Sequence, residues 1–150
     1  SVGMKRNLAC FLARVEVVAH FDDDDLYAQG YLERMVEQVL AAAQQSPHRP
    51  PSPPPPRPPM ATEACEDGAA EEDVRLTSRW AAVTLESWHV FDVGENAFRF
   101  VRAEDEQSAY GWGFSYAYTR AAWRHCLFRN VNKDEDYSFM RSLRESSEAS

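Results

Sequence analysis

The chain has no apolar run approaching the roughly 18 residues of a membrane span. Its start, Ser1-Val2-Gly3-Met4-Lys5, lacks the apolar segment of a signal peptide. No membrane segment is expected in this chain. No basic stripe is present either: 16 Lys+Arg stand against 24 Asp+Glu, for a formal charge of -8. That balance argues against a nucleic-acid partner. The three cysteines, Cys10, Cys65 and Cys126, show no paired spacing. An odd, scattered set fits free thiols and excludes a zinc pattern. The histidines, His20, His48, His89 and His125, form no metal set. There is no G-x-S-x-G, P-loop or G-x-G-x-x-G, so hydrolase, P-loop and dinucleotide readings have no support.

Proline is absent outside one stretch, because all 9 prolines fall between Pro47 and Pro59. Such a segment cannot be helix or central strand and is expected to be polyproline II. Residues 60–73 are acidic and rich in small side chains. We read 46–75 as a disordered insertion, because core elements occur on both sides of it. The remainder, 1–45 and 76–145, is one domain, in keeping with 150 residues in all. Residues 146–150 are expected to be a disordered tail.

The apolar pattern places the elements. Residues 4–14 read as a helix, with Leu8, Phe11 and Leu12 on its apolar face. Residues 15–21 are β-branched and read as a buried strand. Residues 27–45 read as a second helix, striped by Tyr31, Met35 and Val39 with Leu32 and Val36, and weakened in its first turn by Gly30. Residues 80–92 read as one strand and 98–102 as an edge or hairpin strand. Residues 119–126 read as a short helix capped by Thr119. Residues 135–144 read as a helix with Tyr137, Met140 and Leu143 on one face.

Between the first strand and the second helix lie four aspartates, Asp22-Asp23-Asp24-Asp25. Ligands of open α/β sheets bind at the rim beyond the carboxyl ends of strands. Carboxylates about 4 Å apart repel by roughly 4 kcal/mol at an effective dielectric of 20, and a bound cation relieves that repulsion. All-oxygen ligation suits Mg²⁺, Mn²⁺ or Ca²⁺. Taken alone, the run reads equally as a solvated acidic turn. A second acidic cluster, Asp134-Glu135-Asp136, opens the last helix, where the dipole stabilises carboxylates by about 0.3–1 kcal/mol each. Between the clusters stands YGWGFSYAYTR. Gly111 and Gly113 permit close backbone approach. Phe114, Tyr116 and Tyr118 read as core, and His20 as a packed strand residue or a support for the acidic turn.

Five segments in order, KRNLAC, VEVVAHFDDDDLYAQGYLERMV, LESWHVFDV, YGWGFSYAYTRAAW and FRNVNKDEDYSFMRSL, resemble the family-2-like glycosyltransferases of the GT-A fold. The resemblance skips only the proline-rich insertion. It implies an α/β, Rossmann-like nucleotide-diphospho-sugar transferase domain, a mixed sheet flanked by helices. The implied activity is metal-dependent transfer of a sugar from a nucleoside-diphosphate donor to an acceptor hydroxyl, with inversion. The acceptor is a glycan, lipid or protein of unspecified kind. Asp22-x-Asp24 would be the DxD motif. Asp24, with Asp22 and Asp25, would hold Mn²⁺ or Mg²⁺, and Asp22 and Asp23 would face the donor. Asp136 would be the general base and Glu135 its neighbour. Gly113 and Trp112 would lie near the donor sugar. Arg6, in the segment before the DxD strand, would approach the donor diphosphate or mark an exposed helix start.

The chain departs from the family in three places. The βαβ unit that binds the nucleotide base, expected before KRNLAC, is missing, which implies a partial domain with an uncovered sheet edge. Gln29-Gly30 stands where many relatives have proline, and the insertion is long. The alternative expectation is an inactive remnant that binds a divalent ion, or a partner through the proline-rich motif. Compartment is not encoded; a cytoplasmic or a Golgi/ER-associated location would depend on a targeting segment elsewhere.

Overall fold

A computed structural model describes residues 1–46 and 79–148. The proline-rich and acidic insertion, apart from Ser46, lies outside the described residues. The elements are α1 (Val2–Leu12), β1 (Val17–Ala19), α2 (Tyr31–Gln45), β2 (Ala82–Val83), β3 (Ser87–Asp92), β4 (Ala97–Arg102), α3 (Glu106–Tyr110), a 3₁₀ turn (Gly113–Ser115), β5 (Ala117–Thr119), α4 (Arg120–His125) and α5 (Glu135–Glu148).

The described chain is α/β, as expected, but the expected mixed sheet is not what forms. A three-stranded sheet has the order β1-β5-β2, and β3 and β4 form a separate hairpin. Every described ladder is antiparallel. The reason is topological. β1 and β2 both run opposite to β5, so they are parallel to each other, yet β5 occupies the place between them.

β5 organises the core through its alternation. Tyr116 and Tyr118, both fully buried, turn to one face and pack with Cys10, Trp123, Phe128, Phe139 and Met140. Ala117 turns to the other and meets Met35, Val39 and Ala43 of α2. The small alanine leaves room for α2 to lie close. Thr119 closes the strand: its hydroxyl donates to the Arg79 carbonyl at 2.7 Å and caps α4 by accepting from Ala122 N at 3.2 Å. The cap expected at Thr119 is therefore present.

Several expectations are corrected. β1 is three half-buried residues, not a seven-residue buried strand, because only 17–19 have a strand partner in β5. Residues 80–92 divide into β2 and β3, which belong to different sheets. α2 begins at Tyr31, not 27, since Gly30 sits in the left-handed region (φ 83) as its N-cap. α5 runs to Glu148, past the expected end and into the supposed tail. Ion pairs one turn apart, Arg141–Glu145 at 2.7 Å and Arg144–Glu148 at 2.8 Å, support that extension.

The largest correction concerns α1. Leu8, Phe11 and Leu12, read as its core stripe, are exposed at 56%, 68% and 66%. The buried face carries Gly3 and Cys10. A β-carbon at Gly3 would collide with the Arg129 carbonyl oxygen and lie 2.9 Å from its carbon. Asn7 then pins the helix: its Nδ2 donates to Phe128 O at 2.8 Å, while its Oδ1 accepts from Trp123 Nε1 and Phe128 N, both at 3.0 Å. Close backbone approach and buried hydrogen bonds outweigh apolar periodicity here. No helix among the described residues is long and apolar enough to cross a membrane.

Candidate functional site

The sheet delivers the acidic run to its rim. His20 N donates to Tyr116 O at 2.7 Å, so the backbone is held one residue past β1. Phe21 and the four aspartates follow, all exposed. Asp22 N donates to the Tyr27 hydroxyl at 2.9 Å, and that hydroxyl donates to Phe114 O at 3.0 Å. Asp22, Asp24 and Asp25 each offer a carboxylate oxygen within 4.8 Å of the others. Asp23 is not part of this triad. Burial pushes the Asp25 carboxyl above its ordinary value, and the charges of Asp24 and Asp22 add to the rise. Three carboxylates grouped in this way could hold a metal ion.

The second cluster forms where α5 meets α1. Glu135 and Asp136 occupy the first turn of α5, entered through Asp134 in a left-handed conformation (φ 59). Arg6 of α1 donates to Asp136 Oδ1 in close contact, and its Nη1 is 3.6 Å from Glu135 Oε1. These groups are largely buried, with side-chain exposures of 20% for Arg6, 7% for Glu135 and 14% for Asp136. The guanidinium also stacks over Phe128, 5.6 Å from the ring centroid. Arg6 is thus not an exposed helix start; its charge is directed at two carboxylates.

One short turn links the clusters. Gly113 is buried, and a β-carbon there would lie 2.6 Å from Asp136 Cγ and 3.0 Å from Arg6 Nη1. Asp136 Oδ2 occupies the space that any side chain at 113 would fill. On its other side, the Gly113 carbonyl meets His20 Nδ1 at 3.0 Å. The next carbonyl, of Phe114, accepts from Tyr27. Ser115 completes the anchorage, with its Oγ 2.7 Å from Thr84 Oγ1 and accepting from Leu85 N at 3.1 Å. The Gly113–Ser115 turn therefore fixes the acidic turn on one side and the Arg6–Asp136 pair on the other.

His20 reaches further inward, with Nε2 2.9 Å from the Tyr118 hydroxyl. That hydroxyl lies 3.3 Å from Cys10 Sγ. Burial, with Arg6 nearby, holds the imidazole pKa down at about 4, so it is neutral at pH 7. Burial pushes the Tyr118 and Tyr116 phenols far up, so both are protonated. Trp112 is exposed at 53% and its ring neighbours are Trp88 and Phe114, at 5.7 and 6.4 Å between centroids. Phe114 is half-buried, while Tyr116 and Tyr118 are core as expected.

The sequence placed His20 only as a packed strand residue or a support for the acidic turn, and it gave no partner for His20, Asn7 or Tyr27. The only signal for them is polar type inside or beside apolar segments, which does not reveal a partner about 100 residues away. No family model, curated protein or solved structure matches this chain.

Proposed function

We propose that this chain carries the metal-holding and base-bearing parts of a GT-A-type glycosyltransferase acting on a nucleoside-diphosphate sugar. One observation carries the reading: the Gly113–Ser115 turn joins the carboxylate triad and the Arg6–Asp136 pair into one structural unit. The α/β arrangement, with the triad past the end of β1, is compatible with it.

Asp24, with Asp22 and Asp25, would hold Mn²⁺ or Mg²⁺. Bound there, the ion would supply Lewis-acid stabilisation to the departing diphosphate. Asp136 serves as general base. Arg6 engages its Oδ1 and orients the group, whose carboxylate would take the acceptor proton. As that proton moves, the acceptor oxygen bonds to the anomeric carbon, and the bond from that carbon to the diphosphate oxygen breaks with its electron pair. A single displacement of this kind inverts the anomeric centre. Base catalysis of this type contributes about 10²–10⁴-fold when the acceptor hydroxyl lies within hydrogen-bond reach. Glu135 balances Arg6 and keeps it at the base. Asp23 and Trp112, both exposed, are left to face the donor.

The test is calorimetric titration of Mn²⁺ into the chain, with and without UDP and GDP, beside Asp24→Ala. The expected result is nucleotide binding that requires Mn²⁺ and is lost in the variant. A folded wild-type chain that binds neither nucleotide in the presence of Mn²⁺ refutes the proposal. Mn²⁺ binding indifferent to nucleotide favours a divalent-ion module instead, the reading that the exposed position of the triad would support.

A further inference from the structure

The roles above leave one buried polar chain unused: Cys10, Tyr118, His20 and the Gly113 carbonyl. Its hydrogen bonds have a definite direction. A backbone carbonyl only accepts, so His20 Nδ1 must carry a proton and donate to Gly113 O. In a neutral ring Nε2 then holds a lone pair, and the Tyr118 hydroxyl donates to it. With its proton committed, the Tyr118 oxygen accepts from the Cys10 thiol. That polarity satisfies all three contacts of the chain.

We propose that His20 is a positioning residue for the candidate base: its imidazole ties the Gly113 backbone to the Tyr118–Cys10 core and thereby holds the seat of the Arg6–Asp136 pair. The seat is the bare α-carbon of Gly113, against which both the carboxylate and the guanidinium rest. With no side chain at 113, the first residue of the turn is held through its carbonyl, while Ser115 anchors the far end. The Gly113 carbonyl is held by His20, and the Phe114 carbonyl by Tyr27. Loss of the His20 bond lets the glycine move away and loosens what rests on it. His20 also packs, tilted, beside Tyr116 and Phe128, at 5.7 and 5.8 Å between centroids. Phe128 is the ring under the Arg6 guanidinium, so both sides of the pair are braced from the same imidazole. The catalytic meaning of this role rests on the glycosyltransferase reading, but the structural coupling does not.

The experiment is NMR on the whole chain, comparing wild type with His20→Phe, His20→Gln and Tyr118→Phe. Long-range nitrogen–proton spectra of His20 should show Nδ1 protonated and Nε2 bare. The wild-type Arg6 Nη signals should be separate, as expected of a held guanidinium. His20→Phe, with circular dichroism unchanged, should speed Arg6 Nη–H exchange about tenfold, the equivalent of one ordinary hydrogen bond. His20→Gln, whose amide can donate to Gly113 O, should restore most of the protection. Should His20→Phe fail to fold, Tyr118→Phe, which frees only the inner end of the ring, should still raise the exchange rate. The opposite tautomer, or unchanged Arg6 exchange in folded His20→Phe or Tyr118→Phe, overturns the proposal. In a turnover assay, His20→Phe should lower kcat and leave the donor KM unchanged. A wild-type chain with no turnover would count against the glycosyltransferase reading alone, because the Arg6 signals decide the coupling independently.

Discussion

Neutral His20 makes the stability of this fold depend on pH in a window that can be worked out. In the unfolded chain the imidazole titrates at its ordinary value of 6.5; in the fold it titrates at about 4, because burial and Arg6 oppose the charged form. Below pH 6.5 the unfolded state binds a proton that the folded state refuses. Stability from this group is therefore complete above 6.5 and is lost as pH falls toward about 4. At about 1.4 kcal/mol per pH unit the full difference is about 3 kcal/mol. The ring is half-buried, and residual solvent screening lowers the expectation to about 2–3 kcal/mol. The assay is urea unfolding of wild type and His20→Gln between pH 7.5 and 4. Carboxylates titrate in both proteins and cancel in the difference. The wild-type advantage should shrink by about 2–3 kcal/mol from pH 7 to pH 4. A difference that stays flat, or grows as pH falls, would mean that the folded state accepts the proton, and the exclusion of a charged imidazole by burial and Arg6 would be wrong.

Gly3→Ala places a β-carbon against the Arg129 carbonyl and should cost about 1–3 kcal/mol, read as a lower urea midpoint; an unchanged midpoint would mean that α1 does not dock on this face. Leu8→Ser and Phe11→Ser, at exposed positions, should change stability by no more than about 0.5 kcal/mol, whereas losses above about 2 kcal/mol would place them in the core that periodicity suggested.

Elements with local signals were legible in the sequence. Thr119 caps α4 because a hydroxyl at that position can reach an amide three residues on. Met35 and Val39 mark the buried stripe of α2 because a single face of that helix is apolar. Asp22, Asp24 and Asp25 form a triad because they are neighbours in the chain. Even the Glu135–Asp136 pair at the start of a helix was readable from charge and position.

The partners of these groups emerged only with the fold. Periodicity chose the wrong face of α1, because the contact that docks it is a missing side chain at Gly3 and three hydrogen bonds at Asn7, neither of which has a hydrophobic signature. It gave 80–92 as one strand, because strand propensity does not say which sheet a residue joins. Arg6 was read as facing a donor or solvent, and the fold gives it Asp136 and Glu135, about 130 residues away in sequence. His20 and Gly113 acquire meaning only as a pair. Hydrogen bonds, close backbone approach and ion pairing are short-ranged in space and blind to sequence separation, so the groups that they join become visible only when the chain is folded.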